Sequence, residues 1–188
     1  MATSKTNSFW LTETVTLAGA TAANTEATGT IDLGAYISVA DGLAIAVEQV
    51  DYITQLNDAS VSASWSGFAG AFLTSDGCID VQLTDLNPGG VLVRADDNNL
   101  ISSSALNIDD TNNVVSQTDF FPDTFGKLDE ARMVVNDQMY VVARNTGGIV
   151  AGVADDTLAM TVRIKARIVK LSTKDWMAIA IQSTAADN

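Results

Sequence analysis

Histidine is absent from this 188-residue chain. That removes Ser-His-Asp and Cys-His catalysis, His-ligated zinc or iron, and imidazole pH sensing together. Cysteine occurs once, at Cys78, so no intrachain disulfide forms and disulfide-scaffold folds are excluded. Flanked by Gly77 and Ile79, that thiol reads as a buried strand residue. Two prolines and no Pro/Gly/Ser linker leave nothing to divide the chain. No apolar run approaches the ~20 residues a membrane-crossing helix needs. Aromatics are scarce at 6% against 47% apolar overall, so the expected core is aliphatic and alanine-rich. Glutamate is scarce too: 19 Asp stand against 4 Glu, 5 Lys and 5 Arg. Aspartate favours turns over strands and helices, which places most of the acid in loops. A net charge of -13 and a pI near 4.1 argue against general nucleic-acid binding, which needs distributed cations on phosphates.

Against this acidic background one stretch stands out. From Leu158 to Leu171 the chain alternates cleanly: Val162, Ile164, Ala166 and Ile168 share one parity, Arg163, Lys165 and Arg167 the other. Period two predicts a half-buried strand with a cationic outer face. Five of the ten basic residues lie between Arg163 and Lys174, a ledge that needs something negative to face. An apolar segment with a polar, cappable start (Ser172 to Gln182) follows at once.

The rest of the chain reads mostly as strands. Phe9 to Ala18 and Thr25 to Leu33 are Thr-rich and extended, and Asp41-Gly42 is a tight-turn signal. Between Leu43 and Ile53 the apolar parity switches from Leu43, Ile45 and Val47 to Val50 and Tyr52, which predicts a bulge or bend in one long strand, with a helix as the competing reading. Val61 to Trp65 is a short strand that Gly67 to Leu73 could extend. Cys78 to Thr84 and Gly90 to Ala95 read as a hairpin across Asn87-Pro-Gly-Gly90. Asp96 to Gln117 reads as long polar loops with one or two short strands, and Asp129 to Met133 as a helical turn. Met133 to Ala143 reads as strand bent at Asn136-Asp137. About eight strands with long loops and hardly any helical period predict an all-β antiparallel sandwich; jelly-roll and other Greek-key arrangements both fit, and the long loops and chain length lean toward the jelly-roll type. One domain is expected over 1–188, with a short N-terminal arm (1–10) and a C-terminal segment (172–188).

The candidate sites are surfaces rather than catalytic sets. The run Asn107 to Asn113 sets oxygen side chains at alternating positions like a calcium loop, with Asp109, Asp110 and Asn113 as the candidate ligands, but lacks the central Gly and terminal Glu of an EF-hand. They are candidates for weak calcium binding only, beside Asp96 to Asn99 and Asp155-Asp156, and no other cofactor is expected. Glu48, Asp51, Asp80 and Asp85 could supply a carboxylate pair, with no second element supporting one. Trp10, Trp65, Trp176, Tyr36, Tyr52 and Tyr140 could line a sugar-binding face, though packing is their usual role. The first eleven residues are expected to be neither a secretory signal nor a transit peptide, which implies synthesis in a reducing cytoplasm.

Three stretches (Ile31 to Gly42, Phe121 to Phe125, and Val162 to Met177) resemble the single jelly-roll major capsid proteins of tailless, often membrane-containing icosahedral viruses of archaea and bacteria. The resemblance implies a non-enzymatic virion protein that self-assembles into capsomers of an icosahedral shell. Its partners would be identical subunits and other virion proteins, with anionic lipid or packaged genome beneath. Phe9, Trp10, Arg163, Lys165, Arg167 and Trp176 are the expected subunit-interface residues. A carbohydrate-binding or adhesin-like sandwich module is the alternative.

Overall fold

Strand β11 (Thr157–Lys170) is the axis of the first sheet, and its alternation has the expected consequence. Leu158, Met160, Val162, Ile164 and Ala166 are fully buried, while Arg163 is exposed on the opposite face. The computed structural model describes residues 2–58, 64–66, 73–112, 114–119, 131–148 and 157–184. The Phe121 to Phe125 loop, Asn113, Asp155-Asp156 and the extension over 67–72 lie outside these.

On one side β11 pairs antiparallel with β2 (Phe9–Ala18), and the short β1 (Thr3–Ser4) continues the same edge. On its other side lies β4 (Leu43–Asp58). The far edge of β4 is shared by β9 (Arg132–Val134), opposite Ile45 to Val47, and β5 (Ser64–Ser66), opposite Leu56 to Asp58. The second sheet runs β3 (Glu26–Asp32), β10 (Gln138–Thr146), β6 (Gly77–Thr84), β7 (Leu100–Asp109), β8 (Val114–Asp119).

Strand order identifies the architecture. Leaving out β1, β5 and β8, successive strands visit the two sheets in the sequence first, second, first, second, second, first, second, first. Their spatial orders are β2-β11-β4-β9 and β3-β10-β6-β7, the eight-stranded jelly roll built from two Greek keys. Val15, Leu17, Ile45, Val47, Ile79, Val81, Leu83, Met139, Val141 and the inner residues of β11 fill the space between the sheets.

The parity switch in β4 is a bulge, as expected. Lys165 is opposite Gln49 but Ala166 is opposite Val47, so Glu48 is the extra residue. The segment after Leu171 is helix α1 (Thr173–Thr184). Ser172 caps it: the Asp175 N–H donates to Ser172 Oγ at 3.2 Å, and Asp175 at the third position favours the positive helix end. Through Trp176, Ile179 and Ala180 the helix packs onto the outer face of the first sheet, over Ala44, Ala46, Val169 and Leu171. Alanines there let the helix approach the strands closely.

Three expectations are corrected. Gly90 to Ala95 forms no hairpin with β6, because both edges of β6 are taken by β10 and β7. The segment crosses the sheet's outer face instead, held by the Gln82 amide, which donates to the Val93 carbonyl at 2.9 Å and accepts from its N–H at 2.7 Å. Much of the polar run from Asp96 to Gln117 is β7 and β8 rather than loop; Ser102, Ser103 and Ser104 are buried in β7. Arg132 to Val134 is strand β9, not part of a helical turn.

Candidate interaction face

The outer face of the first sheet brings the sequence-predicted cations together. Cross-strand register places Thr12, Arg163 and Asp51 in one row, and Trp10, Lys165 and Gln49 in the next. Arg163 lies over the indole of Trp10, 4.7 Å from the ring centroid, a cation–π contact worth about 0.5–1 kcal/mol at an exposed site. Gln49 Nε2 donates to Asp51 Oδ1 at 2.8 Å. Thr14 and Thr161 join their hydroxyls at 2.9 Å one row further on.

The bulge gives the third cation a fixed partner. Arg167 is ion-paired with Glu48, and Ser8 donates to the same carboxylate at 2.6 Å. Arg167 also donates to Ser8 Oγ at 3.2 Å. That cluster fastens the N-terminal arm to the sheet, with Lys5 N–H donating to the Ile168 carbonyl at 2.8 Å. The ledge is therefore not a uniform row of free charge. Arg167 serves the subunit's own structure, while Arg163 presents outward.

Of the other expected interface residues, Phe9 turns inward, its ring 5.4 Å from Tyr36. Trp176 is turned toward the sheet beneath α1. The helix shows Met177 and Ile181, a pair four residues apart, to solvent in their place. Exposed apolar side chains concentrate on this side of the molecule. Eight large ones are exposed among the described residues: Trp10, Val39, Ile53, Trp65, Val91, Val114, Met177 and Ile181. Trp10, Ile53 and Trp65 share the outer face by register, and Met177 and Ile181 lie on the helix above it.

The remaining candidates separate. The two Asp109 carboxylate oxygens accept from the Asn112 backbone and side-chain N–H groups at 2.9 and 2.7 Å, and this holds its carboxyl below the usual range. Asp76 accepts from the Asp110 N–H at 2.9 Å, so these carboxylates close a turn. No group of three potential metal ligands occurs among the described residues. The six aromatics form no platform. Trp10 pairs with Lys165 of β11, and Trp65 pairs with Asn57 of β4, itself opposite Thr157, so the two rows lie about 27 Å apart along the strands at ~3.4 Å per residue; Tyr140 is on the second sheet. Glu48 and Asp51 lie on the first sheet, Asp80 and Asp85 on or beside β6. The Cys78 thiol is pushed up to about 12, first by burial and then by its bond to Asp80, which leaves it protonated and inert.

One feature escaped the sequence reading. Asp85, 1% exposed, follows β6 and meets Arg132 of β9 at 3.3 Å, an ion pair that ties the two sheets together. Arg132 also donates to the Asn98 carbonyl, and Asn136 Nδ2 donates to the Asp85 carbonyl at 2.8 Å. Burial pushes the Asp85 carboxyl up to about 6, against the opposing pull of Arg132. Beside the pair is a cleft of about 280 Å³ lined also by Met133, Ile179 and Gln182. An isolated Arg before a Met-Val-Val run carries no sequence signal for such a partner 47 residues away.

No protein-family model matches this sequence, and no curated protein matches it. Among solved structures it is similar to VP1 of Trichodysplasia spinulosa-associated polyomavirus in complex with GM1 oligosaccharide. That match has 12% identity and a TM-score of 0.44, over 89% of this chain and 96% of that one. The same VP1 with 3'-sialyllactose matches at 12% and 0.44, over 90% and 97%. The jelly-roll assignment rests on the strand order, which stands without them.

Proposed function

We propose that this chain is a non-enzymatic shell subunit that assembles with copies of itself into capsomers of an icosahedral virion. The observation that carries the reading is the outer face of the first sheet. Five of the eight exposed large apolar side chains lie on it or on its helix, alongside Arg163 and Lys165, in a chain of net charge -13. Apolar anchors among cations suit a neighbour's acidic surface, with charge steering the encounter and apolar burial holding it. The acid-rich turns of the same chain, at Asp96-Asp97 and Asp109-Asp110, supply such a surface. A single jelly roll also fits the finer placement among capsid proteins of tailless icosahedral viruses of archaea or bacteria. Under this reading the chain is made in the host cytoplasm and resides in the virion. Anionic lipid or genome would be met through the Arg163 to Lys174 ledge, and no metal is required.

The test spares the fold. Ile53→Lys combined with Met177→Lys changes two exposed positions, 36% and 55% accessible, so the thermal midpoint should move by no more than a degree or two. Particles seen by negative stain should disappear. Normal particles from the double variant would remove this face from assembly.

A further inference from the structure

We propose that two copies of this chain pair edge to edge through β2, in a two-fold antiparallel register centred on Thr14. The pairing goes beyond the shell reading and does not depend on it. Strand β2 is ten residues long and pairs with β11 without a register break, the bulge being on β4. Among the described residues its other edge has no strand partner, which leaves a row of backbone donors and acceptors able to template another strand. The usual protections are missing: Phe9 to Ala18 contains no Pro and no Lys.

Glu13 is the one charge on the strand, and it does not project past the edge. It folds over Gly29 of β3, where a Cβ would lie 2.6 Å from its Oε1. The missing side chain at Gly29 makes the room that keeps this carboxylate inside the subunit.

The sequence of β2 is complementary to itself about Thr14. On the outer face a two-fold there sets Thr14 opposite Thr14, Thr12 opposite Thr16, and the bulky Trp10 opposite Ala18. On the inner face it sets Leu11 opposite Leu17 and Glu13 opposite Val15, with the Glu13 carboxylate turned away over Gly29. Threonine pairs and large-against-small pairs are favourable cross-strand neighbours. Moving the axis to Glu13 would instead oppose two carboxylates, which is destabilising. The pairing would join two first sheets into one and bring two Trp10–Arg163 faces side by side.

Directly opposed residues have Cα atoms about 4.5–5.5 Å apart, within reach of a disulfide. The test is Thr14→Cys on a Cys78→Ser background, with Ala18→Cys as the control, since two copies of position 18 would lie about 27 Å apart. Under mild oxidation Thr14→Cys should convert to a covalent dimer at least tenfold faster than Ala18→Cys. Sedimentation of the Ile53→Lys, Met177→Lys variant, in which larger particles are not expected, should show a species of twice 19.7 kDa. Equal crosslinking rates, or a Thr14→Cys protein that stays reduced, would overturn the pairing. Loss of particles in the Ile53→Lys, Met177→Lys variant with the Thr14→Cys crosslink intact would separate this inference from the shell reading.

Discussion

Arg132→Ala should destabilise the protein by about 3–5 kcal/mol above pH 7, the range for stripping a partner from a buried ion. Asp85 would keep its place at 1% exposure with its countercharge gone, and the link between the two sheets would go with it. The loss should depend on pH. In the folded protein the Asp85 carboxyl is already raised from 3.8 to about 6 by burial, so the folded state holds its proton more firmly than the unfolded chain. Its ionised form therefore costs stability, and that cost disappears as pH falls from about 6 toward 3.8. Without Arg132 the carboxyl rises further, so the variant should be most damaged at pH 8 and much less so at pH 5. Urea midpoints at the two pH values measure this. An equal loss at both would mean that Arg132 acts through packing rather than charge. Replacing both partners, as Asp85→Asn with Arg132→Met, should recover much of the stability, because a neutral pair of similar volume carries no buried charge.

Gly77→Ala is the second large effect, and its cause is steric. At the start of β6 the chain crosses the turn after β10. A Cβ at Gly77 would be driven into the Thr146 carbonyl and would lie 2.8 Å from the Gly148 nitrogen and 2.7 Å from Leu73 Cδ1. Two of those neighbours are backbone atoms, which cannot swing aside as a side chain can. Gly147 faces the same crossing with a φ of +96°, where a Cβ would come within 2.7 Å of the Asp76 carbonyl. The two turns interlock, so one methyl must separate β6 from β10 locally. The expected cost is about 4 kcal/mol or more, at the extreme for a single substitution. Gly89→Ala is the comparison: a Cβ there meets nothing within 4 Å, leaving only the strain of φ +74°, about 1 kcal/mol. Thermal melts of the two variants should differ accordingly, and equal midpoints would refute the interlock.

The sequence made the first sheet readable because its strands obey one rule. In β2 and β11 the outer positions are mostly polar and the inner ones mostly apolar, so period two appears directly. Even an irregularity between Val47 and Val50 was visible, since one inserted residue must reverse the parity of everything after it; the register places it at Glu48. Two strands of the second sheet, β7 and β8, hid for the opposite reason. Ser102 to Ser104 are buried yet polar, and composition alone assigns such a run to a loop. Val91 to Val93 has strand composition but lies over β6, both of whose edges are already taken by β10 and β7. Which strand occupies an edge is a tertiary fact, invisible to local pattern. At the candidate face, alternation located Arg163, Lys165 and Arg167. It could not show that the bulge hands Glu48 to Arg167, nor that α1 turns Trp176 inward and Met177 outward.

Particle size of the purified chain, by negative-stain microscopy and light scattering across salt concentration, tests whether this subunit builds a shell. Uniform rings or closed shells, many times larger than a single 19.7 kDa subunit, are expected. A species that stays at one or two subunits under every condition would contradict the shell reading.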